Sequence, residues 1–406
     1  LRPYGAAIAA AALVAVVASA CAPPATAPAP QMQAVAPCPT SNPAGVGSDA
    51  APSGDPVDSQ GAGAQVVVVA EDEDGRPEIV STTVHDAASV VDELEADGTL
   101  DVVAIEPPEQ VSLATTGVAA TDPRRSEQWA LNDLTIESAW TRSRGAQVDI
   151  AVIDTGVAAT HPDLRGKVCG GVAYLGGDGV ARTGKGATDP HGHGTHVAGI
   201  AAASSDDGVG IAGVAPDARI MAIRVMDAQG HGYTSDVARG ITWAVDHGAE
   251  VVNLSLGGPA TPSMRLAVDY ALNNGVVVVA AAGNDHQTGD DPSYPGAYEG
   301  AIAVASYDSN GTVSSFSTRG DYVDVAAPGS SILSTLNTGD WVRMSGTSMA
   351  TPHVAGIAAL LIAQQPSRTP AQVRERLEST ALDAGPIGPD PAYGAGRVRP
   401  VAALGG

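Results

Sequence analysis

Val148-Asp149-Ile150-Ala151-Val152-Ile153-Asp154-Thr155-Gly156 is apolar apart from Asp149 until it ends on a carboxylate and a glycine turn. A run of that length and composition reads as a strand buried on both faces, the kind found in parallel sheets. Similar runs recur at 219–225, 250–256, 276–281 and 301–305, with helical patterns between them at 196–203, 235–247 and 264–274. Short helical patterns also cover 136–140 and 370–381. Strand alternating with helix predicts an α/β fold, a three-layer sandwich around a largely parallel central sheet. Sites in such sheets gather beyond the carboxyl ends of the strands, where Asp154 and Asn284 both fall.

Two more strings carry chemistry. Asp189-Pro190-His191-Gly192-His193-Gly194-Thr195-His196 offers imidazoles, and Ser345-Gly346-Thr347-Ser348-Met349-Ala350-Thr351-Pro352-His353 offers a hydroxyl ahead of an apolar helix through 361. A hydroxyl nucleophile needs a base beside it, and that base needs an acid to hold its tautomer. A serine at a helix N-terminus sits where backbone N–H groups and the positive end of the helix favour a developing oxyanion. Gly194 is read as the turn into the helix that presents the His193 ring. His191, His193 and His196 also suggest a zinc site, but the glutamate of zinc peptidases is missing. The stretch 179–186 nearly spells a phosphate-binding loop, yet it ends in Gly where Ser or Thr should hold magnesium, and it reads as a surface loop.

With Asp, His and Ser in that chain order, 122–406 resembles the subtilisin family of serine peptidases. The resemblance implies Asp154 as the orienting acid, His193 (the histidine directly before Gly-Thr-His) as the base and Ser348 as the nucleophile. Asn284, in the string Ala-Ala-Ala-Gly-Asn, matches the family's side-chain oxyanion donor. Ser255, Leu256 and Gly257 resemble the segment that pairs with substrate backbone as an added strand. One version of the family's calcium site matches Asp122, Asp163 and the loop 204–210, with Asp207 as the loop side chain and Asp206 as the alternative. No cofactor is implied for the chemistry itself. The loop 284–295 would floor the primary specificity pocket. Its Asp285, Asp290 and Asp291 read either as a bias toward Arg or Lys or as a solvated acidic loop.

Ahead of this body, 65–121 resembles the family's inhibitory propeptide in shortened form, with strands at 66–69, 77–84 and 100–105 and a helix at 86–96. A permanent accessory domain is the competing reading. Its junction is expected within 115–121; the Arg124-Arg125 pair is an alternative that would discard Asp122. Residues 21–64, rich in Pro, Ala and Gly, read as a disordered linker. Residues 1–20 read as a signal peptide, with Arg2, an apolar stretch 5–20 and the small residues Ala18-Ser19-Ala20 before Cys21. Cys21 is then open to lipidation, which would give the only membrane contact. Cys38 and Cys169 either pair, tying the tail to the body, or Cys169 is simply a small buried residue.

Composition agrees with an extracytoplasmic enzyme. The net charge of −24, with Lys167 and Lys185 as the only lysines, argues against nucleic acid as a partner. Aromatics make up 3%, so a core must come from Ala, Val, Ile and Leu. The sequence therefore predicts a secreted, monomeric serine endopeptidase acting on polypeptides, with its own propeptide as inhibitor. Two rivals are a dedicated processing protease of the mycosin kind, keeping its N-terminal extension, and a binding protein on an inactive protease scaffold. Four intact catalytic positions speak against the second.

Overall fold

The computed structural model describes residues 121–406 except 178–179, together with the backbone of strands at 65–72, 77–83 and 100–106. Those three strands, β1 (Gln65–Asp72), β2 (Pro77–Thr83) and β3 (Leu100–Glu106), form an antiparallel sheet in the order β2-β1-β3. They lie where the sequence predicted strands. The helix expected at 86–96, the signal peptide, the linker, Cys21, Cys38 and the junction 115–120 fall outside the described residues.

The main body has one eight-stranded sheet. In chain order its strands are β4 (Asp149–Asp154), β5 (Val168–Ala173), β6 (Arg182–Thr183), β7 (Arg219–Arg224), β8 (Val251–Leu254), β9 (Val277–Ala281), β10 (Ile302–Tyr307) and β11 (Val325–Pro328). Their spatial order is β11-β10-β9-β8-β4-β7-β5-β6, parallel throughout except for the β5–β6 pair. β4 is central, with β7 on one side and β8 on the other, and the chain passes from one side of it to the other between β7 and β8. β12 (Ile332–Thr335) and β13 (Trp341–Met344) add a hairpin.

Period-two alternation explains the three layers. Ile150, Val152, Ile220, Val277, Val279, Ile302 and Val304 face one core, shared with helices α1 (His193–Ala202) and α4 (Thr347–Gln364). Ala151, Ile153, Met221, Ile223, Val252, Leu254 and Val278 face the other, shared with α2 (Thr234–Asp246) and α3 (Pro262–Asn273). α4 is buried along nearly its whole length, which is why it is apolar on every side. No helix among the described residues is long and apolar enough to cross a membrane.

Several details differ from the sequence reading. α1 begins at His193 itself, and the turn into it is made by Gly192, at φ 105°. Gly194 instead allows a close approach, since a Cβ there would fall 2.1 Å from the Gly156 carbonyl oxygen and 3.0 Å from the Asp154 Cβ. The helix can lie against β4 only because that side chain is absent. The near-phosphate-loop stretch contributes β6, an edge strand paired with β5, instead of a bare loop. Cys169 is disulfide-bonded, which overturns its reading as a plain buried thiol; its partner lies outside the described residues.

Two histidines of the catalytic strings are structural. His353 is held on the Met349 carbonyl oxygen at 2.9 Å and His196 on the Val342 carbonyl oxygen at 3.1 Å; burial pushes both down to about 4. Each is neutral when folded and protonates more easily when unfolded, with an ordinary value near 6.5. The stability each gives is therefore whole above pH 6.5 and declines as pH falls toward 4, by on the order of 3 kcal/mol apiece. Buried Asp324, raised to about 7, works in the opposite direction, so a difference measurement is needed. In inhibitor-blocked protein, the denaturation midpoint of the native chain should exceed that of His353→Gln by a margin that shrinks between pH 6.5 and 4. A constant margin would contradict the burial of a neutral imidazole.

Candidate active site

Asp154 is the last residue of β4 and is wholly buried. Its Oδ1 lies 2.7 Å from Nδ1 of His193, the first residue of α1, and also accepts the Thr155 N–H at 2.7 Å. With Nδ1 engaged, the basic nitrogen of the neutral ring is Nε2. Burial disfavours the charged ring, but the Asp154 charge and hydrogen bond, with Asp189 behind, outweigh it and raise the His193 pKa above the ordinary imidazole value.

Asp189 is the organiser that motif reading missed. Its Oδ1 accepts the N–H groups of His191 and Gly192 at 3.0 and 2.8 Å and the Thr155 hydroxyl at 2.8 Å. Its Oδ2 accepts the Thr195 N–H and hydroxyl at 2.9 and 2.6 Å. A buried carboxylate thus takes the N–H groups of the two residues leading into α1 and of Thr195, and with Thr155, which accepts the Gly194 N–H, ties that start to the end of β4. The signal was an Asp four residues before the helix, legible only once the true helix start is known.

Ser348 is the second residue of α4. Pro352, one turn on, has no N–H, so the Ser348 carbonyl lacks its helical donor. The Ser255 hydroxyl supplies that bond at 2.8 Å, and Asn253 Nδ2 donates to the same hydroxyl at 3.0 Å. This gives Ser255 a role apart from the substrate pairing expected of it: its side chain is buried and anchors the Ser348 backbone. Leu256 and Gly257, expected beside it in the substrate segment, line a cavity of about 450 Å3 with Ser348 and Asn284. Asn284 Oδ1 accepts the Thr347 N–H at 2.9 Å and its hydroxyl at 3.1 Å. That fixes the amide so that its NH2 is left to donate.

The three histidines do not form a metal site. The His191 and His193 rings are 6.3 Å apart, and His196 is turned to the Val342 carbonyl. Asp122 accepts the Asp206 and Asp207 N–H groups at 3.0 and 3.2 Å. Asp163 Oδ2 accepts the Ile211 N–H at 3.1 Å, while its buried Oδ1 has no partner. Burial, with the nearby charges of Asp207 and Asp122, pushes Asp163 up to about 6. Asp206 is occupied by Arg144 at 3.1 Å, leaving Asp207 as the freer loop carboxylate. Among the described residues, no three His, Cys, Asp or Glu side chains sit close enough to hold a metal by themselves.

A carboxylate-held imidazole beyond the carboxyl end of a parallel sheet, with a serine at a buried helix N-terminus, is the layout of a hydroxyl-nucleophile hydrolase. Residues 145–396 match the subtilase family (peptidase S8), and the chain belongs to that family. It is a serine-type endopeptidase, and its substrates are polypeptides. Thermitase of Thermoactinomyces vulgaris is 50% identical over 257 residues, 63% of this chain and 88% of thermitase. Subtilisin DY of Bacillus licheniformis is 45% identical over 245 residues, covering 60% of this chain and 86% of that protein. A solved protease structure from Pseudoalteromonas arctica superposes with a TM-score of 0.64 at 34% identity, covering 70% of this chain and 98% of that one.

Proposed function

We propose that Asp154, His193, Ser348 and Asn284 carry the reaction of this endopeptidase, and that it works outside the cytoplasm. The 2.7 Å Asp154–His193 contact is the observation that carries the reading. Ser348 attacks the peptide carbonyl carbon while His193 takes its proton, and the C–N bond breaks as His193 returns that proton to the amine. Asn284 and the Ser348 N–H stabilise the oxyanion of each tetrahedral intermediate, and water completes the cycle by deacylation. The substrate backbone lies along 255–257. The region 65–121 acts first as the inhibitory propeptide, and the active body is a monomer.

We also propose a structural calcium ion held by Asp122, Asp163 and Asp207 with carbonyl oxygens of the 204–210 loop. The buried Asp163 oxygen, which has no partner among the described residues, supports it, as does the rise of Asp163 through burial first and the charges of Asp207 and Asp122 second. Bound calcium would crosslink the start of the catalytic body to that loop.

A second reading concerns the N-terminal extension. The disulfide at Cys169 favours a chain that keeps this extension after processing, with Cys38 as the partner. Cys21 would then be free for a lipid anchor.

A fluorophosphonate probe should label the protein, and Ser348→Ala should abolish labelling and lower casein hydrolysis by roughly 10^4-fold or more. An alanine variant that still digests casein would overturn the assignment. Run without reductant, the labelled band should carry the extension and lose mass on reduction; an unchanged mass would exclude retention. EDTA should lower the melting temperature of the inhibited protein by several degrees, and Asp163→Asn should remove most of that effect. Indifference to EDTA would exclude the ion.

A further inference from the structure

The cavity beside Ser348 is lined by two carboxylates and no cationic side chain. The loop 284–295 contains three aspartates, and the structure divides them. Asp290 is committed to the loop: its Oδ2 pairs with His286 Nδ1 at 2.7 Å and its Oδ1 accepts the Arg319 N–H at 2.8 Å. Asp285 and Asp291 line the cavity instead, and among the described residues neither carboxylate is engaged in a hydrogen bond or ion pair. The buried Ser293 also lines the cavity, and its Oγ lies so close to Gly257 that a Cβ there would be 2.2 Å away.

We propose that this cavity takes a cationic side chain, Lys or Arg, at the residue whose carbonyl is attacked (P1), with Asp285 and Asp291 as the specificity-determining residues. The proposal rests on the hydrolytic assignment above and names its substrate class. The physical case is one of unspent charge. A long aliphatic stem would pack against Leu256, Ala281 and Gly283, and its charged head would meet carboxylates that none of the described residues neutralises. A Glu or Asp at P1 would bring a third negative charge to the same place. Because both aspartates are exposed, each contributes only a screened ion pair, at most about fivefold in rate.

The test uses the mature enzyme and four peptide nitroanilides differing only at P1: Lys, Arg, Leu and Glu. Active-site titration with a fluorophosphonate comes first, so that a protein that fails to label speaks against the hydrolytic assignment and not against the pocket. The ratio of kcat/KM for Lys over Leu should exceed one, and Glu should be worst. Asp291→Asn and Asp285→Asn should each lower the Lys/Leu ratio, by up to about fivefold, and raised ionic strength should lower it in the native enzyme. The ratio does not depend on how much of a variant folds. A labelled enzyme that prefers Leu to Lys, or a ratio unmoved in both variants, would overturn the proposal.

Discussion

The short contact between the Asp154 carboxylate and the His193 ring is the constraint the rest of the molecule serves. A carboxylate with no exposure is costly unless donors compensate it, and here Thr155 and His193 both serve Oδ1, while the buried Oδ2 has no hydrogen-bond partner among the described residues. To bring them, α1 must approach the end of β4 so closely that position 194 has room for no side chain. Asp189 then accepts five hydrogen bonds, four from residues at the start of that helix and one from Thr155 at the end of β4. The sheet supplies the rigid end of the arrangement. β4 lies between β7 and β8 with both faces covered, so Asp154 is placed by a strand buried along its whole length.

A similar economy governs the nucleophile. A proline inside a helix ordinarily costs a hydrogen bond and a kink. In α4 the carbonyl that Pro352 leaves unpaired belongs to Ser348, and the Ser255 hydroxyl satisfies it from the neighbouring segment. The defect thus couples Ser348 to the 255–257 segment proposed to pair with substrate. Asn284 is set in the same way, through Thr347, the residue just before the nucleophile.

Much of this was legible from residues alone, and the boundary is physical. The buried strands β4, β7, β8, β9 and β10 announce themselves because a strand covered on both faces must be almost wholly apolar. β5 is interrupted by Gly170 and Gly171 and carries a register irregularity, and β13 is a half-exposed Trp-Val-Arg-Met; neither has that signature. Asp154, His193 and Ser348, proposed as the catalytic set, were readable because each sits in its own short string. Asp189, Asn253 and Thr347 were not, since their work lies in hydrogen bonds to residues distant in sequence or in a helix start that the pattern misplaced. The three acids of the 284–295 loop look alike as letters; only the fold separates the one spent on His286 from the two that face the cavity.

The central claim is that a buried carboxylate sets the basicity and orientation of His193. The pH dependence of kcat/KM in the native enzyme and in Asp154→Asn tests it most directly. The native acid limb should have its midpoint above about 6.5, and the variant should show a lower midpoint with activity reduced by roughly 10^4-fold. Equal midpoints in the two proteins would contradict the account.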